Sequence, residues 1–524
     1  MLGDLMNTAS TLPSGTLLIV PSDGYVSTDS VTPTERTRRL RLRFRITEVL
    51  VMTYSGTWWM PDAPDNRVPG TLSWDGGGNP LLELQGQVSP LGEPTPPDGD
   101  PIRVYAAILG RSFDGEDISC YQCVFAGGQI VLGRGQAENE RYTIWGGVLV
   151  GAHYANESEA RFTTYDLSIT HLESWYPWRG IQDDQPLVNP DGKLLRYSLS
   201  YTYPTDRLAT EFGRATMNVS PTMSVTGPRR RREMHERLTI TLTYREPVSP
   251  KDVQSTEAEA LRKLLTLATH HTNAIEQLAL TIGDDPRQAR EGKWLSSRSP
   301  RADPEWEEAP APAALHQPDM LFSAADLPEE RRSQMMTAWL ELLTSCQLGM
   351  NVLIGDIDSP LGYADSRLLS IARAIEAIAR RRYPIPASAM TKYEERMAAV
   401  QESITDAKLS GWVRGKLRRA YEPSLEERLR RMAVDVSPAV KRLVPSTRFA
   451  FSFAQRRNDY THEDPASASR VDHVETYWLL IQAHYILIAW VLVAIGFTVP
   501  DTQRFLEAND TYNQLAHQLP AGSR

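Results

Sequence analysis

Gln455-Arg456-Arg457-Asn458-Asp459-Tyr460-Thr461-His462-Glu463 is the stretch from which the C-terminal half of this chain is read. It follows an apolar run of Phe449, Phe451 and Phe453 and precedes Asp464-Pro465. It gathers a fixed cation, an amide and a side chain that titrates near neutrality. That trio suits cleavage of a phosphodiester without a metal. The planar fork of Arg457 can hold two non-bridging oxygens, His462 can give or take a proton, and Asn458 can orient either partner. On an unbroken helix Arg457 and His462, five residues apart, point ~140° away from each other. Proline disfavours helix at the residue before it, so the sequence predicts a helix end here, with Arg457 on the last turn and His462 beside it. A surface Arg and His near a helix terminus is the plainer alternative.

Around this stretch, from Leu321 onward, apolar residues recur at helical spacing. The predicted helices are Pro328–Met350, Ser366–Arg382, Ala387–Thr405, Gly411–Ala420, Leu425–Leu443, Thr447–Arg457, Val471–Gly496 and Thr502–Leu515. Between residues 360 and 460 there are 20 Lys and Arg against 11 Asp and Glu, an excess of nine positive charges in a protein whose net charge is −9. Arg380-Arg381-Arg382, Arg418-Arg419 and Arg430-Arg431 contribute to it. Either these are the wet faces of ordinary amphipathic helices, or they form a groove that attracts RNA backbone. Tyr477 to Val499 is almost wholly apolar and nearly long enough to span a bilayer, but Gln482 and His484 interrupt it and no basic cluster flanks it closely. A buried core helix is expected, with no membrane partner.

The first half reads as strands. Leu40, Leu42, Phe44 and Ile46 alternate with Arg39, Arg41, Arg43 and Arg45, the period of a strand with one buried face. Arg36, Arg38, Arg39 and Arg41 are read as the solvated face of that strand, and Arg229-Arg230-Arg231-Arg232 as an exposed loop. More short runs follow, among them Thr57–Met60, Thr71–Trp74, Leu81–Leu84, Val104–Leu109, Thr143–Val150, Arg161–Ile169 and Leu238–Tyr244. Many short strands without intervening helices predict an antiparallel β-sandwich-like domain. At Pro250 the pattern changes. Thr256-x-x-Glu259 has the form of a capping box and Gly283 that of a C-terminal stop, with Leu261, Leu264, Leu265, Ile275 and Leu278 at helical spacing between them. Asp284 to Gln317 is polar and proline-rich, and reads as a linker. The expected organisation is therefore a β-rich domain over 1–248, a helical connector and linker over 249–320, and an all-α helical domain over 321–524.

At 524 residues the chain exceeds one ordinary core. Its acidic balance argues against wholesale wrapping of nucleic acid, though not against a local patch. Three cysteines cannot make a disulfide framework, which fits a reducing cytoplasm. Cys120-x-x-Cys123 lacks a second pair, so no metal site is expected, and residues three apart in a strand should face opposite sides. The start, Met1-Leu2-Gly3-Asp4, lacks the pattern of a signal peptide.

Arg457-Asn458-x-x-x-His462, set between an aromatic helix and a long apolar one, resembles the HEPN ribonucleases. Gly56-Thr57-Trp58-Trp59-Met60-Pro61, Pro69-Gly70-Thr71-Leu72-Ser73-Trp74 and Leu82-Glu83-Leu84-Gln85-Gly86 resemble the N-terminal domain of ApeA-type antiphage proteins. Leu167–Trp175 and Asp319-Met320-Leu321-Phe322, with Trp339 downstream, extend the likeness over most of the chain. The resemblance implies an abortive-infection effector in which a β-rich module senses a phage-derived trigger and a helical HEPN bundle cuts RNA. It implies a homodimer through the HEPN domain, with Arg and His from two protomers lining one cleft, no cofactor, and 2′,3′-cyclic phosphate products. Arg457, Asn458 and His462 are then the catalytic residues. Arg456, Arg380 and Arg381 are candidate RNA contacts. Glu376 is an accessory group, unless it merely forms an i,i+4 ion pair with Arg380. Glu463-Asp464 puts negative charge after His462, which favours its protonated form but also repels phosphate. Two other classes remain open: a non-catalytic HEPN binding or dimerisation module beside a β domain that recognises a phage component, and a membrane-acting effector anchored by Tyr477–Val499.

Overall fold

The computed structural model describes residues 52–75, 78–88, 103–130, 137–183, 187–188, 194–196, 199–204, 208–227, 233–283, 288–296, 315–359, 362–462 and 472–520. The Arg39–Ile46 alternation, Arg229–Arg232 and Glu463-Asp464-Pro465 lie outside these residues, as does most of the proline-rich linker.

Six antiparallel strands near the start close on themselves. They are β1 (Met52–Trp59), β2 (Val68–Trp74), β3 (Leu81–Leu84), β4 (Val104–Ser112), β5 (Asp117–Ile130) and β6 (Ala137–Val150), in the order β6-β3-β2-β1-β4-β5, with β5 pairing back to β6. Closure leaves no edge within this barrel. Its interior is filled by Trp58, Leu72, Leu82, Ile108, Ile118, Tyr142, Ile144 and Val148. Gly110 is obligatory here, because a Cβ at that position would stand 2.2 Å from the Trp58 ring. Cys120 and Cys123 are both free and both buried inside the barrel, contrary to the opposite-face expectation. The reason is a register shift between Tyr121 and Cys123, with Gln122 at φ 49°, which turns Cys123 inward.

The barrel and the rest of the sheet share β6. Its first half pairs with β3, through residues such as Tyr142 with Leu82, while Val148, Leu149 and Val150 pair with β16 (Arg290–Leu295). From there the antiparallel sheet runs on through β15 (Ile275–Ile282), β7 (Phe162–Ile169), β14 (Glu233–Val248), β13 (Ala215–Thr226) and β12 (Leu208–Phe212). After β7 come a single turn, α1 (Leu172–Trp175), and four short strands that pair apart from this sheet, β8 (Ile181–Asp183) with β11 (Leu199–Tyr201) and β9 (Leu187–Val188) with β10 (Leu194–Arg196). The β-rich antiparallel expectation thus takes the form of a barrel and a sheet growing from its wall.

The helix expected between Thr256 and Gly283 is shorter and starts earlier. Ser249 caps α2 (Pro250–Val253) by accepting from Asp252 N. One π-helical turn follows, then α3 (Glu259–Thr269), which ends at His270 in the left-handed region, φ 56°. Ile275 and Leu278, read as helical, belong to β15. The supposed linker contributes β16. α3 lays Leu261, Leu264, Leu265, Leu267 and Ala268 into the core beneath the sheet.

The helical half comprises α4 (Glu329–Ser345), α5 (Gln347–Asp358), α6 (Ala364–Arg382), α7 (Ala387–Ser403), α8 (Ala407–Leu417), α9 (Leu425–Val440), α10 (Phe449–His462), α11 (His473–Ala494), α12 (Val499–Ala508) and α13 (Asp510–Gln518). The single helix expected over Pro328–Met350 is broken at Cys346, φ −119° and ψ 31°. α11 is the axis of the bundle, with buried residues at nearly every position from Thr476 to Leu492. It is the one helix among the described residues long and apolar enough to cross a membrane, yet 78% of its most apolar window is buried in protein. Its polar interruptions meet polar groups inside: Gln482 Nε2 donates to the Leu443 carbonyl (2.8 Å), and His484 Nδ1 stands at ion-pair distance, 2.8 Å, from Asp356 Oδ2. The two halves share a continuous core, and Trp339 of α4 donates its Nε1 proton to the Ala260 carbonyl of α3 (2.9 Å).

Candidate functional site

α10 is helical because Phe449, Phe453 and Arg456 recur on one face, and that face is buried against α6, α9 and α11. Phe451, Gln455 and Asn458 follow on the exposed side. By helical period the Cα of His462 lies ~40° round the axis from that of Asn458.

The helix does not stop between Arg457 and His462 as expected. It runs unbroken to His462. Two contacts hold the last turn together: Thr461 Oγ1 donates to the Arg457 carbonyl (2.8 Å), and the Tyr460 hydroxyl meets Thr476 Oγ1 of α11 (3.1 Å). Proline at 465 acts too far downstream to break it. On one continuous helix the Cα atoms of 457 and 462 therefore lie ~140° apart about the axis.

Arg457 sits at the flank of α10 facing α6. Its Nη2 donates to Glu376 Oε1 and its Nη1 to Asn458 Oδ1, both at 3.0 Å. The side chains of Arg457 and Glu376 are 29% and 26% exposed, so the pair is fixed yet reachable from solvent. Glu376 thus reaches across to Arg457, and the i,i+4 pairing with Arg380 is not made. Arg380 instead ion pairs with Glu422 (3.1 Å). Arg381 is exposed on the last turn of α6. Arg456 does not fit a backbone contact for RNA: its side chain is 8% exposed and paired with Glu475 on α11. The adjacent arginines point to opposite fates because 100° of helical turn puts one in the core and the other at its rim.

A second charged cluster joins the halves of the protein. Asp356 of α5 receives Arg367 Nε (2.7 Å) and faces His484 (2.8 Å), and His484 Nε2 lies 3.4 Å from His270 Nε2 at the end of α3. Burial alone would raise the Asp356 carboxyl, but His484 and Arg367 outweigh it and hold it well below the usual range. Burial, then the neighbouring His484, pushes His270 down to about 3. Beside it, Arg262 of α3 donates Nη1 to Asp358 Oδ2 of α5 (2.9 Å) and to the Asn273 carbonyl (3.1 Å). Periodicity carries no trace of such a network, since its members come from four distant segments. Among the described residues no group of three or more His, Cys, Asp or Glu is arranged to hold a metal ion.

Comparison with known proteins accords with this layout. No curated protein and no solved structure matches the chain. Two family models do: ApeA N-terminal domain 1 over residues 53–331, which takes in the barrel, the extended sheet and α3, and Apea-like HEPN over residues 369–501, which takes in α10 and its surroundings. With more than half its length matched by the first and its helical bundle by the second, the chain belongs to the ApeA family of antiphage defence proteins and carries a HEPN nuclease-type domain.

Proposed function

We propose that the protein is a metal-independent endoribonuclease that cuts RNA on phage infection and so causes abortive infection. The observation that carries this reading is Arg457, a fixed cation held at a solvent-facing rim by Glu376 and Asn458, five residues before His462 on the same helix. RNA brings its own nucleophile. His462 takes the proton of the 2′-hydroxyl, the 2′-oxygen bonds to phosphorus, the P–O5′ bond breaks, and the protonated His462 gives its proton to the departing 5′-oxygen. The products are a 2′,3′-cyclic phosphate and a 5′-hydroxyl. Arg457 stabilises the charge that develops on the phosphate oxygens, Asn458 positions His462 or the phosphate, and Glu376 positions Arg457.

The intact α10 decides how these groups would meet. Because 457 and 462 diverge on one helix, the reactive cleft in this reading is built by two copies of the chain. A two-fold axis perpendicular to α10, passing between these two positions, would set the Arg457 of one protomer against His462 of the other. The substrate is unpaired RNA, tRNA loops included, since A-form duplex hides its base edges. The site of action is the cytoplasm, and a phage component engages the β-rich half as trigger.

The test is induction of wild type, Arg457→Ala and His462→Ala in cells, with sequencing of RNA ends, beside cleavage by purified protein in EDTA. New 2′,3′-cyclic phosphate ends from wild type alone are expected. Cleavage only with Mg²⁺, or equal cleavage by His462→Ala, rejects the mechanism. The divergence of 457 and 462 also favours a second reading, a non-catalytic HEPN module for binding or dimerisation. That reading predicts wild-type function in both variants.

A further inference from the structure

At the C-terminal end of α6 and just beyond it, Arg380, Tyr383 and Ile385 meet Arg419, Glu422 and Arg428 around an open pocket of about 250 Å³. Glu422, in the turn between α8 and α9, is its hub. The carboxylate pairs with Arg380 (3.1 Å), Arg428 (3.3 Å) and Arg419 (3.8 Å). Three guanidinium groups against one carboxylate leave the pocket strongly positive. Arg428 is 7% exposed and also donates Nε to the Pro423 carbonyl (2.9 Å). Burial, then the charge of Arg380, lowers its pKa from the ordinary arginine value against the opposing charges of Glu422 and Glu376. Arg380 and Arg419 are 54% and 65% exposed, so their remaining donors face the opening. The apolar side is rigid: Trp490 Nε1 donates to the Tyr383 hydroxyl (2.8 Å), which also bonds to Asp435.

The pocket adjoins the α10 site. Arg380 follows Glu376 by one turn of α6, a rise of ~6 Å, and the Glu376 charge is felt at Arg428. That spacing matches the step from one phosphate to the next along a single strand. We propose that this pocket is a phosphate subsite for single-stranded RNA. It takes the phosphodiester neighbouring the one at Arg457, with the adjoining ribose and base against Tyr383 and Ile385. The proposal rests on the RNA-cleaving reading of α10 and adds Arg419, Arg428 and Tyr383 to it. An acidic peptide would meet the same charge, but an aromatic and aliphatic wall beside a cationic rim suits a nucleotide better.

The test uses full-length His462→Ala protein, a short fluorescein-labelled single-stranded RNA and EDTA, with anisotropy read across a salt series. Arg380→Ala/Arg419→Ala should weaken binding by about tenfold or more and flatten the salt dependence by about 0.7 in log–log slope for each lost phosphate contact. Glu422→Gln should tighten binding. Arg504→Ala, which removes a comparably exposed arginine from α12, should change neither. Binding by the double variant equal to its parent overturns the subsite while leaving the nuclease reading intact. A parent that binds no RNA overturns the subsite as well. RNA bound through the pocket by a wild type that cuts nothing leaves the subsite standing and rejects the nuclease.

Discussion

Arg456 and Arg457 are neighbours in sequence and should fail in different assays. The Arg457–Glu376 pair is partly solvated, and ion pairs of that kind contribute about 0.2–1 kcal/mol. Arg457→Ala should therefore lower the melting temperature of the helical half by only a few degrees, at about 2–4 °C per kcal/mol for a unit this size. Its effect on cleavage should be far larger, because removing one preorganised donor from developing oxyanion charge costs about 10²–10³ in rate. Arg456 reverses the balance. Its guanidinium is buried and paired with Glu475, whose own side chain is 48% exposed. Truncation loses a charged hydrogen bond and buried stem packing, together about 1–3 kcal/mol, while Glu475 can rehydrate. Arg456→Ala should show the larger loss in a thermal melt and retain most cleavage at temperatures where it is folded. The assay pairs a melt with RNA cleavage for each variant. Full cleavage by Arg457→Ala, or lost cleavage by an Arg456→Ala protein that melts normally, would refute the assignment.

At the junction of the two halves, Arg262→Met removes the guanidinium that donates to Asp358 and to the Asn273 carbonyl, leaving Asp358 with the Thr266 hydroxyl (3.3 Å). A loss of about 3–5 kcal/mol is expected for a broken buried pair, and adding Asp358→Asn should recover part of it in a double-mutant cycle of denaturant melts. The pH response has two signs. His270 is held near 3, below its unfolded value of 6.5, so its contribution is complete above 6.5 and is lost as pH falls toward 3. His270→Asn, which tolerates the left-handed backbone, should flatten the acid limb; an unchanged limb excludes His270 as its source. Glu276 is raised by burial to about 7, so its contribution is complete below 4.5 and is lost as pH rises through 7. Glu276→Gln should consequently be the more stable form in mildly alkaline buffer, and equal melts there would contradict the buried-carboxylate account.

What the sequence revealed and what it hid divide along one physical line, the distance at which an interaction acts. The barrel strands were legible because alternation is a local consequence of having one wet face. The burial of α11 was legible because apolar residues cover every side of it. Ile275–Ile282 was misread because β15 is buried at Ile275, Leu278, Ala279, Leu280 and Ile282, and a run so covered satisfies the helical period as readily as the extended one. Cys123 faces inward through a bulge of one residue that no propensity announces. In the candidate site the same limit applies. Sequence offered Glu376 a partner four residues away, and the fold gave it Arg457, 81 residues away. Proline downstream argued for an early end to α10, and a hydroxyl pair with α11 carried it on to His462. Each error replaced a tertiary contact with the nearest local one. The correction matters for the proposed chemistry: an end before His462 would let one chain assemble the proposed pair, whereas with a continuous helix the proposed mechanism calls on two chains. Dilution then becomes a direct measure of the reasoning, because cleavage that needs both protomers must fall faster than the protein concentration once the dimer dissociates.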